Sequence, residues 1–204
     1  MYKLCSAFLD LLINKIGKSL KVHNKENLPE SHRYVVTCNH TSYNDVIMLG
    51  MALYPNQIHY MAKKELFNNK LFGKFLRSLN AFPVNRENPG PSTLKIPVKL
   101  LKENKTVGMF PSGRRTTGEA PLKRGAATIA LLSKSPILPA AYVGPTKLLG
   151  IITGKAHIKF GQPIDVNELP KSMDRNEKIE YLMNELEQRM KTLQQELESE
   201  VRKK

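Results

Sequence analysis

Tyr34-Val35-Val36-Thr37-Cys38 leads straight into Asn39-His40-Thr41-Ser42-Tyr43-Asn44-Asp45 and then into Val46-Ile47-Met48-Leu49. The first run is apolar and β-branched, which suits a packed strand. Ser42 and Asn44 are good N-cap residues for a helix that would run through Val46, Ile47, Leu49 and Leu53. The stretch therefore reads as strand, tight junction, helix. The junction carries His40 and Asp45. An imidazole near its free pKa can take a proton from a hydroxyl, and a carboxylate on its far ring nitrogen would fix the tautomer and stabilise the imidazolium. Along one regular helix, residues five apart swing to different faces. With His40 ending the loop and Asp45 in the first helical turn, the two can meet. His40 is a candidate general base and Asp45 its orienter. The competing reading is that Asp45 only favours a helix N-terminus and His40 is a satisfied loop residue.

Outward from this junction, strand-like and helix-like runs alternate. Strand candidates are 34–38, 58–62, 81–84, 106–110, 137–142 and 156–160. Helix candidates are 45–53, 71–79, 93–103 (with Pro97 at a start or kink) and 125–133. Such alternation implies an α/β fold: a single domain with a mostly parallel twisted sheet and helices on both faces. Ligands of such sheets collect at the carboxyl ends of the strands, where His40 would sit.

Two further helices flank this body. Over residues 4–20, Leu4, Phe8, Leu9, Leu11, Leu12, Ile13 and Ile16 make a wide apolar face, broken by a narrow stripe with Asp10, Asn14 and Lys18. An N-terminal amphipathic helix of this kind either lies in a membrane interface or packs on the domain. At the other end, Ile179, Met183, Leu186, Met190, Leu193, Leu197 and Val201 recur at near-heptad steps and predict a long C-terminal helix over about 176–201. We read its seam as packing on the domain rather than in a coiled coil. A linker at 24–30 and a proline- and glycine-rich loop at 86–92 complete the outline.

The 204 residues carry a formal net charge of +14, which calls for an anionic partner: nucleic acid, an acidic membrane surface or a phosphorylated substrate. The segment after Pro170 balances its acids and bases, so the excess lies on the body. Tryptophan is absent, and the tyrosines and phenylalanines fall mostly within apolar runs rather than among basic residues. That argues against a nucleic-acid partner. The two cysteines, Cys5 and Cys38, form no disulfide framework and no metal-ligand spacing, which favours a reducing, intracellular setting. Cys38 reads as a buried, inert thiol. No stretch approaches the length of a bilayer span, and Asp10 and Lys15 interrupt the early apolar run of any secretory signal.

Three more stretches bear on chemistry. Phe82-Pro83-Val84-Asn85-Arg86 puts a guanidinium just past a short strand, where its planar fork can meet phosphate oxygens. Phe110-Pro111-Ser112-Gly113-Arg114-Arg115-Thr116 is a glycine turn with two arginines at another strand end. Ile137-Leu138-Pro139-Ala140-Ala141-Tyr142 is an apolar strand with a proline. Together with the His40/Asp45 junction, and in this order, the set resembles the glycerolipid acyltransferase family. The bacterial 1-acylglycerol-3-phosphate acyltransferases are the nearest in pattern. The resemblance runs from about residue 22 to about 163 and includes Met61-Ala62-Lys63-Lys64-Glu65-Leu66.

The resemblance implies that His40 deprotonates the free hydroxyl of a lysophosphatidic acid, which then attacks an acyl thioester with no covalent acyl-enzyme. Asp45 would hold and balance the imidazole. Arg86, and Arg115 with Gly113, would position the acceptor's phosphate, with Ser112, Arg114 and Lys63 as further substrate-binding candidates. The donor would be an acyl carrier protein or coenzyme A thioester, and no cofactor or metal is implied. The product is phosphatidic acid, made at the cytoplasmic face of an anionic membrane by a peripheral or monotopic protein. Residues 1–23 would be the membrane-interface helix and 24–204 the acyltransferase domain. The third block departs from the family pattern, with Ser112 in place of a glutamate and Arg114 in place of a threonine. Ser112 can hydrogen-bond a glycerol oxygen but supplies no charge. It is also no hydrolase nucleophile, since no glycine stands two residues before it. Two other readings differ in what they require. Transfer to another lysophospholipid or to glycerol phosphate keeps His40 essential, whereas a non-catalytic peripheral membrane protein is indifferent to its loss.

Overall fold

A computed structural model describes residues 1–85, 90–112 and 124–203. Short runs that are apolar at successive positions become strands covered on both faces. Val35–Cys38 is buried at every position and Ile137–Val143 at all but the last; Ala156–Phe160 is buried throughout although it carries His157 and Lys159. The strands are β1 (Leu20–His23), β2 (Val35–Cys38), β3 (Ile58–Lys63), β4 (Phe82–Val84), β5 (Thr106–Met109), β6 (Ile137–Val143) and β7 (Ala156–Phe160). They form one seven-stranded sheet in the order β1-β7-β6-β2-β5-β3-β4. From β6 to β4 every neighbouring pair is parallel; β7 runs antiparallel to β6, and β1 runs parallel to β7. The mostly parallel sheet expected from the alternation is present, with two reversed strands at one edge.

The helices are α1 (Tyr2–Asp10), α2 (Asn44–Ala52), α3 (Lys70–Ser78), α4 (Ser92–Lys102), α5 (Gly125–Ser133), α6 (Gly150–Thr153) and α7 (Arg175–Arg202). Successive strand residues face opposite sides of the sheet, and this divides the core in two. Val36 and Cys38 of β2 and Leu138 and Ala140 of β6 pack with Met48 and Leu49 of α2 and with Ile13. Val35 and Ile137 join Leu101 of α4, Ile129 of α5, and Ile179, Leu182 and Leu186 of α7. Helix α7 opens with a capping box, in which Asp174 accepts from the N–H groups of Asn176 and Glu177 while Glu177 accepts from that of Asp174. Its seam continues through Leu193 and Leu197 against Ala141, so the heptad-like steps serve packing on the domain. Helix α4 runs on through the buried Pro97.

The N-terminal region departs from expectation. In place of one helix over 4–20, α1 ends at Asp10 and gives way to a wider π-helical turn, Leu11–Ile16. Residues 20–23 then belong to the sheet as β1, paired with β7 from Leu20↔Ala156 to His23↔Lys159. The segment 1–23 is therefore not all helix. Its apolar face is also shared: Ile13 is wholly buried in the core, while Leu4, Phe8, Leu11 and Ile16 are exposed. Among the described residues, no helix is long and apolar enough to cross a membrane.

Candidate active site

The end of β2 is pinned to β6 by a side chain. Asn39 Oδ1 accepts from the backbone N–H of Tyr142 at 2.7 Å, and Asn39 Nδ2 donates to the Tyr142 carbonyl at 3.0 Å. The amide thus continues the ladder one step past the strand and sets where His40 leaves the sheet. The chain then turns through Thr41 and Ser42. The Ser42 hydroxyl accepts from the N–H of Asn44 at 3.1 Å at the head of α2. Asp45, fully buried in the first turn of α2, closes the turn from inside. Its Oδ2 accepts from the backbone N–H groups of Thr41 and Ser42, both at 2.7 Å. Its Oδ1 lies 2.9 Å from His40 Nδ1.

This bonding decides the tautomer. An ionised carboxylate only accepts, so the proton of a neutral His40 sits on Nδ1 and the lone pair is left on Nε2. The ring is also held from its face, since Phe110 stacks on it at 4.3 Å between centroids, tilted 26°. Tyr60 stacks behind Phe110 at 6.2 Å and donates its hydroxyl to the Val46 carbonyl at 2.7 Å. Tyr60 can lie there because residue 108 is glycine: a Cβ at Gly108 would come within 2.8 Å of the Tyr60 ring. The site is thus a layered stack on a buried carboxylate, and the His40 side chain is only 10% exposed.

Burial pushes the Cys38 thiol well above the usual range, and the charge of Asp45 adds to it. A thiol so held stays protonated and is no nucleophile. Burial likewise raises Tyr142, again with Asp45 contributing. Among the described residues, no group of three or more histidines, cysteines or acids could hold a metal ion.

His40 and Asp45 are thus brought together as their spacing suggested, though Asp45 also ties down the turn. Ser112 lies two residues beyond Phe110, so the third block starts beside His40. Lys63 is the last residue of β3, exposed, with Nζ 3.8 Å from Glu65. Arg86, Gly113, Arg114 and Arg115 lie outside the described residues. Asn39 and Phe110 were not assigned roles from the sequence. Their only signal there was adjacency: Asn39 precedes His40, and Phe110 opens the Phe-Pro-Ser-Gly block.

The strand-to-helix junction that brings His40 to the buried Asp45 lies within a stretch that matches a known family. Residues 19–143, from the approach to β1 through the end of β6, match the family described as Acyltransferase, and the chain belongs to it. Among its relatives, the 1-acyl-sn-glycerol-3-phosphate acyltransferase of Bacillus subtilis is 48% identical over 202 residues, 97% of this chain and 99% of that one. The protein of the same name from Streptococcus pneumoniae is 36% identical, over 91% of this chain and 70% of its own. The crystal structure of the 1-acyl-sn-glycerophosphate (LPA) acyltransferase from Thermotoga maritima superposes with a TM-score of 0.65, covering 93% of this chain and 81% of that one. At 22% identity, it bears on the fold alone.

Proposed function

We propose that His40 and Asp45 are the catalytic pair of a 1-acylglycerol-3-phosphate O-acyltransferase. The protein moves a fatty acyl chain from an acyl thioester to the free hydroxyl of 1-acylglycerol 3-phosphate, giving phosphatidic acid for phospholipid synthesis. The observation that carries the catalytic assignment is the 2.9 Å contact between His40 Nδ1 and the buried Asp45 carboxylate, which leaves Nε2 as the basic nitrogen.

In the reaction, Nε2 takes the proton of the acceptor hydroxyl as its oxygen attacks the thioester carbonyl carbon. Asp45 stabilises the imidazolium that forms. The tetrahedral intermediate collapses, the carbon–sulfur bond breaks, and the imidazolium returns its proton to the departing thiolate. The acceptor is an anionic phosphate on a greasy tail, so basic residues beside an apolar surface suit it. Arg86, Arg114 and Arg115 supply the cations, Gly113 belongs to the same block, Ser112 gives a hydrogen bond to a glycerol oxygen, and Lys63 at the end of β3 is a further cation. The donor is a coenzyme A or acyl-carrier-protein thioester. Residues 1–16 dock the protein peripherally on an anionic leaflet, and the catalytic body follows from β1 onward.

Purified protein given lysophosphatidic acid and a long-chain acyl thioester forms phosphatidic acid, and a folded His40→Ala variant forms none. Normal turnover by that variant would remove His40 from the mechanism.

A further inference from the structure

We propose that residues 147–153, in the connection from β6 to β7, form a second membrane-inserting limb that docks on the same anionic leaflet as α1 and is fastened directly to the catalytic turn. The proposal rests on the reading of α1 as a docking helix. In this connection Leu148, Leu149 and Ile152 are 66%, 84% and 42% exposed, although Ile151 between them is buried in the core. A short segment that turns one isoleucine inward and holds three large aliphatic side chains in water needs an apolar neighbour.

The neighbour across the surface is the N-terminal segment. The Ser19 hydroxyl donates to the Ile151 carbonyl at 2.5 Å. Gly17 meets the Ile152 carbonyl so closely that a Cβ there would lie 2.8 Å from it. The exposed Leu11 and Ile16 thus belong to a segment whose backbone touches that of Leu148–Ile152's limb, and Leu4 and Phe8 extend the apolar surface along α1. The charges around this surface are mainly basic, with the half-buried Asp10 the one acid on α1. Lys147 and Lys155 flank the limb, Lys3, Lys15 and Lys18 flank the helix, all five are exposed, and residues 141–155 contain no acid. Aliphatic tips ringed by lysines match an anionic lipid leaflet, where the chains enter the acyl boundary and the amines meet headgroups.

The limb is also wired to the site. Asn44 Nδ2 donates to the carbonyls of both Pro145 and Lys147, at 2.7 and 2.8 Å. The Tyr142 hydroxyl donates to the Pro145 carbonyl at 2.8 Å. Asn44 stands between Tyr43, 61% exposed, and the buried Asp45. Insertion of the limb therefore sets the first turn of α2 at a fixed height above the leaflet, which lets a lipid acceptor reach His40 with its tail still in the membrane.

The test uses the full chain carrying Leu148→Ser with Leu149→Ser, beside a Leu4→Ser with Phe8→Ser variant and wild type. Co-sedimentation with phosphatidylglycerol-containing vesicles measures docking. Turnover of a short-chain 1-acylglycerol 3-phosphate, kept monomeric in solution, measures the chemistry apart from the membrane. The expected result is a loss of vesicle partitioning of at least roughly tenfold in both double variants. Melting temperature and turnover of the soluble acceptor stay at wild-type level, while turnover of a vesicle-borne acceptor falls. Undiminished partitioning of the Leu148/Leu149 variant, with the α1 variant impaired, overturns the proposal and leaves α1 as the sole dock. If wild type itself fails to bind vesicles yet turns over the soluble acceptor, the docking reading and this proposal both fall while acyl transfer stands.

Discussion

Replacing Asp45 with asparagine separates the charge of the pair from its shape. The carboxylate has two distinct jobs: Oδ2 accepts from the N–H groups of Thr41 and Ser42, both at 2.7 Å, and Oδ1 faces His40 Nδ1 at 2.9 Å. An asparagine of the same shape has one oxygen for these three contacts. Two backbone donors converge on the Oδ2 position, so the amide oxygen must sit there; an NH2 group in that place would leave buried donors facing donors. The NH2 group then points at His40 Nδ1, which has to accept, and the imidazole proton moves to Nε2. The ring now presents a hydrogen where the reaction needs a lone pair. The same inversion in a serine protease triad lowers kcat about 10⁴-fold, and a loss on the order of 10³ to 10⁴ is expected here. The stability effect is separable and smaller. Two charge-assisted bonds become neutral ones, a loss of about 1–3 kcal/mol. For a chain of this size that lowers Tm by roughly 2–12 °C. Phosphatidic acid formation under saturating substrates reads kcat, thermal melting reads the fold, and imidazole ¹⁵N shifts read the tautomer. A folded variant that keeps more than roughly a tenth of wild-type kcat, or whose Nε2 is unprotonated in the neutral ring, would refute the reasoning.

Two further outcomes follow from burial. In a Cys5→Ser background the native protein resists iodoacetamide at pH 9, and Cys38 is labelled only on unfolding. Because the folded thiol holds its proton to higher pH than the unfolded one, the Cys38 contribution to stability is intact below the ordinary thiol range and is lost as pH rises through it and on to the folded value. Rapid native labelling in a mass-spectrometric time course would contradict this. Ile13→Ala, at a wholly buried position, costs about 2–5 kcal/mol in denaturant unfolding, whereas Leu4→Ser, at an exposed one, leaves the midpoint within about 0.5 kcal/mol of wild type. Equal effects at the two positions would mean that the N-terminal segment is not divided between core and surface.

The central strands and larger helices were legible because their signals are local. Ala156–Phe160 and Gly125–Ser133 fall at the boundaries expected from apolar runs and flanking turn residues, and α2, α3, α4 and α7 fall within a residue of theirs. Strand β1 was not, for a physical reason. Leu20-Lys21-Val22-His23 is four residues long, lies at the sheet edge, and abuts an apolar helical pattern, so period-2 alternation has no room to declare itself. Its place depends on β7, far along the chain. The same holds at the site. His40 and Asp45 could be paired from spacing because both lie on one turn. The role of Asn39 depends on the backbone of Tyr142, and that of Phe110 on how β5 lies beside β2.

The reversed edge of the sheet bears on the order in which the molecule can be made. Strands β2 to β6 form a block whose crossovers join nearby stretches of chain. The N-terminal segment is held partly nearby, where Ile13 shares a core with Met48 and Leu49 of α2 and the Tyr2 hydroxyl accepts from the N–H of Ile58. Its other anchors are distant: the bond from Ser19 to Ile151 spans 132 positions, and the contact from His23 to His157 spans 134. Synthesis runs from the amino end, so α1 emerges before β7 and the segment is not fully seated until β7 has left the ribosome. Through most of translation the far end of the segment, Leu20–His23, lacks the strand it pairs with. Under the docking proposed for α1, the helix reaches the leaflet while the strand that seats its far end is still to be made.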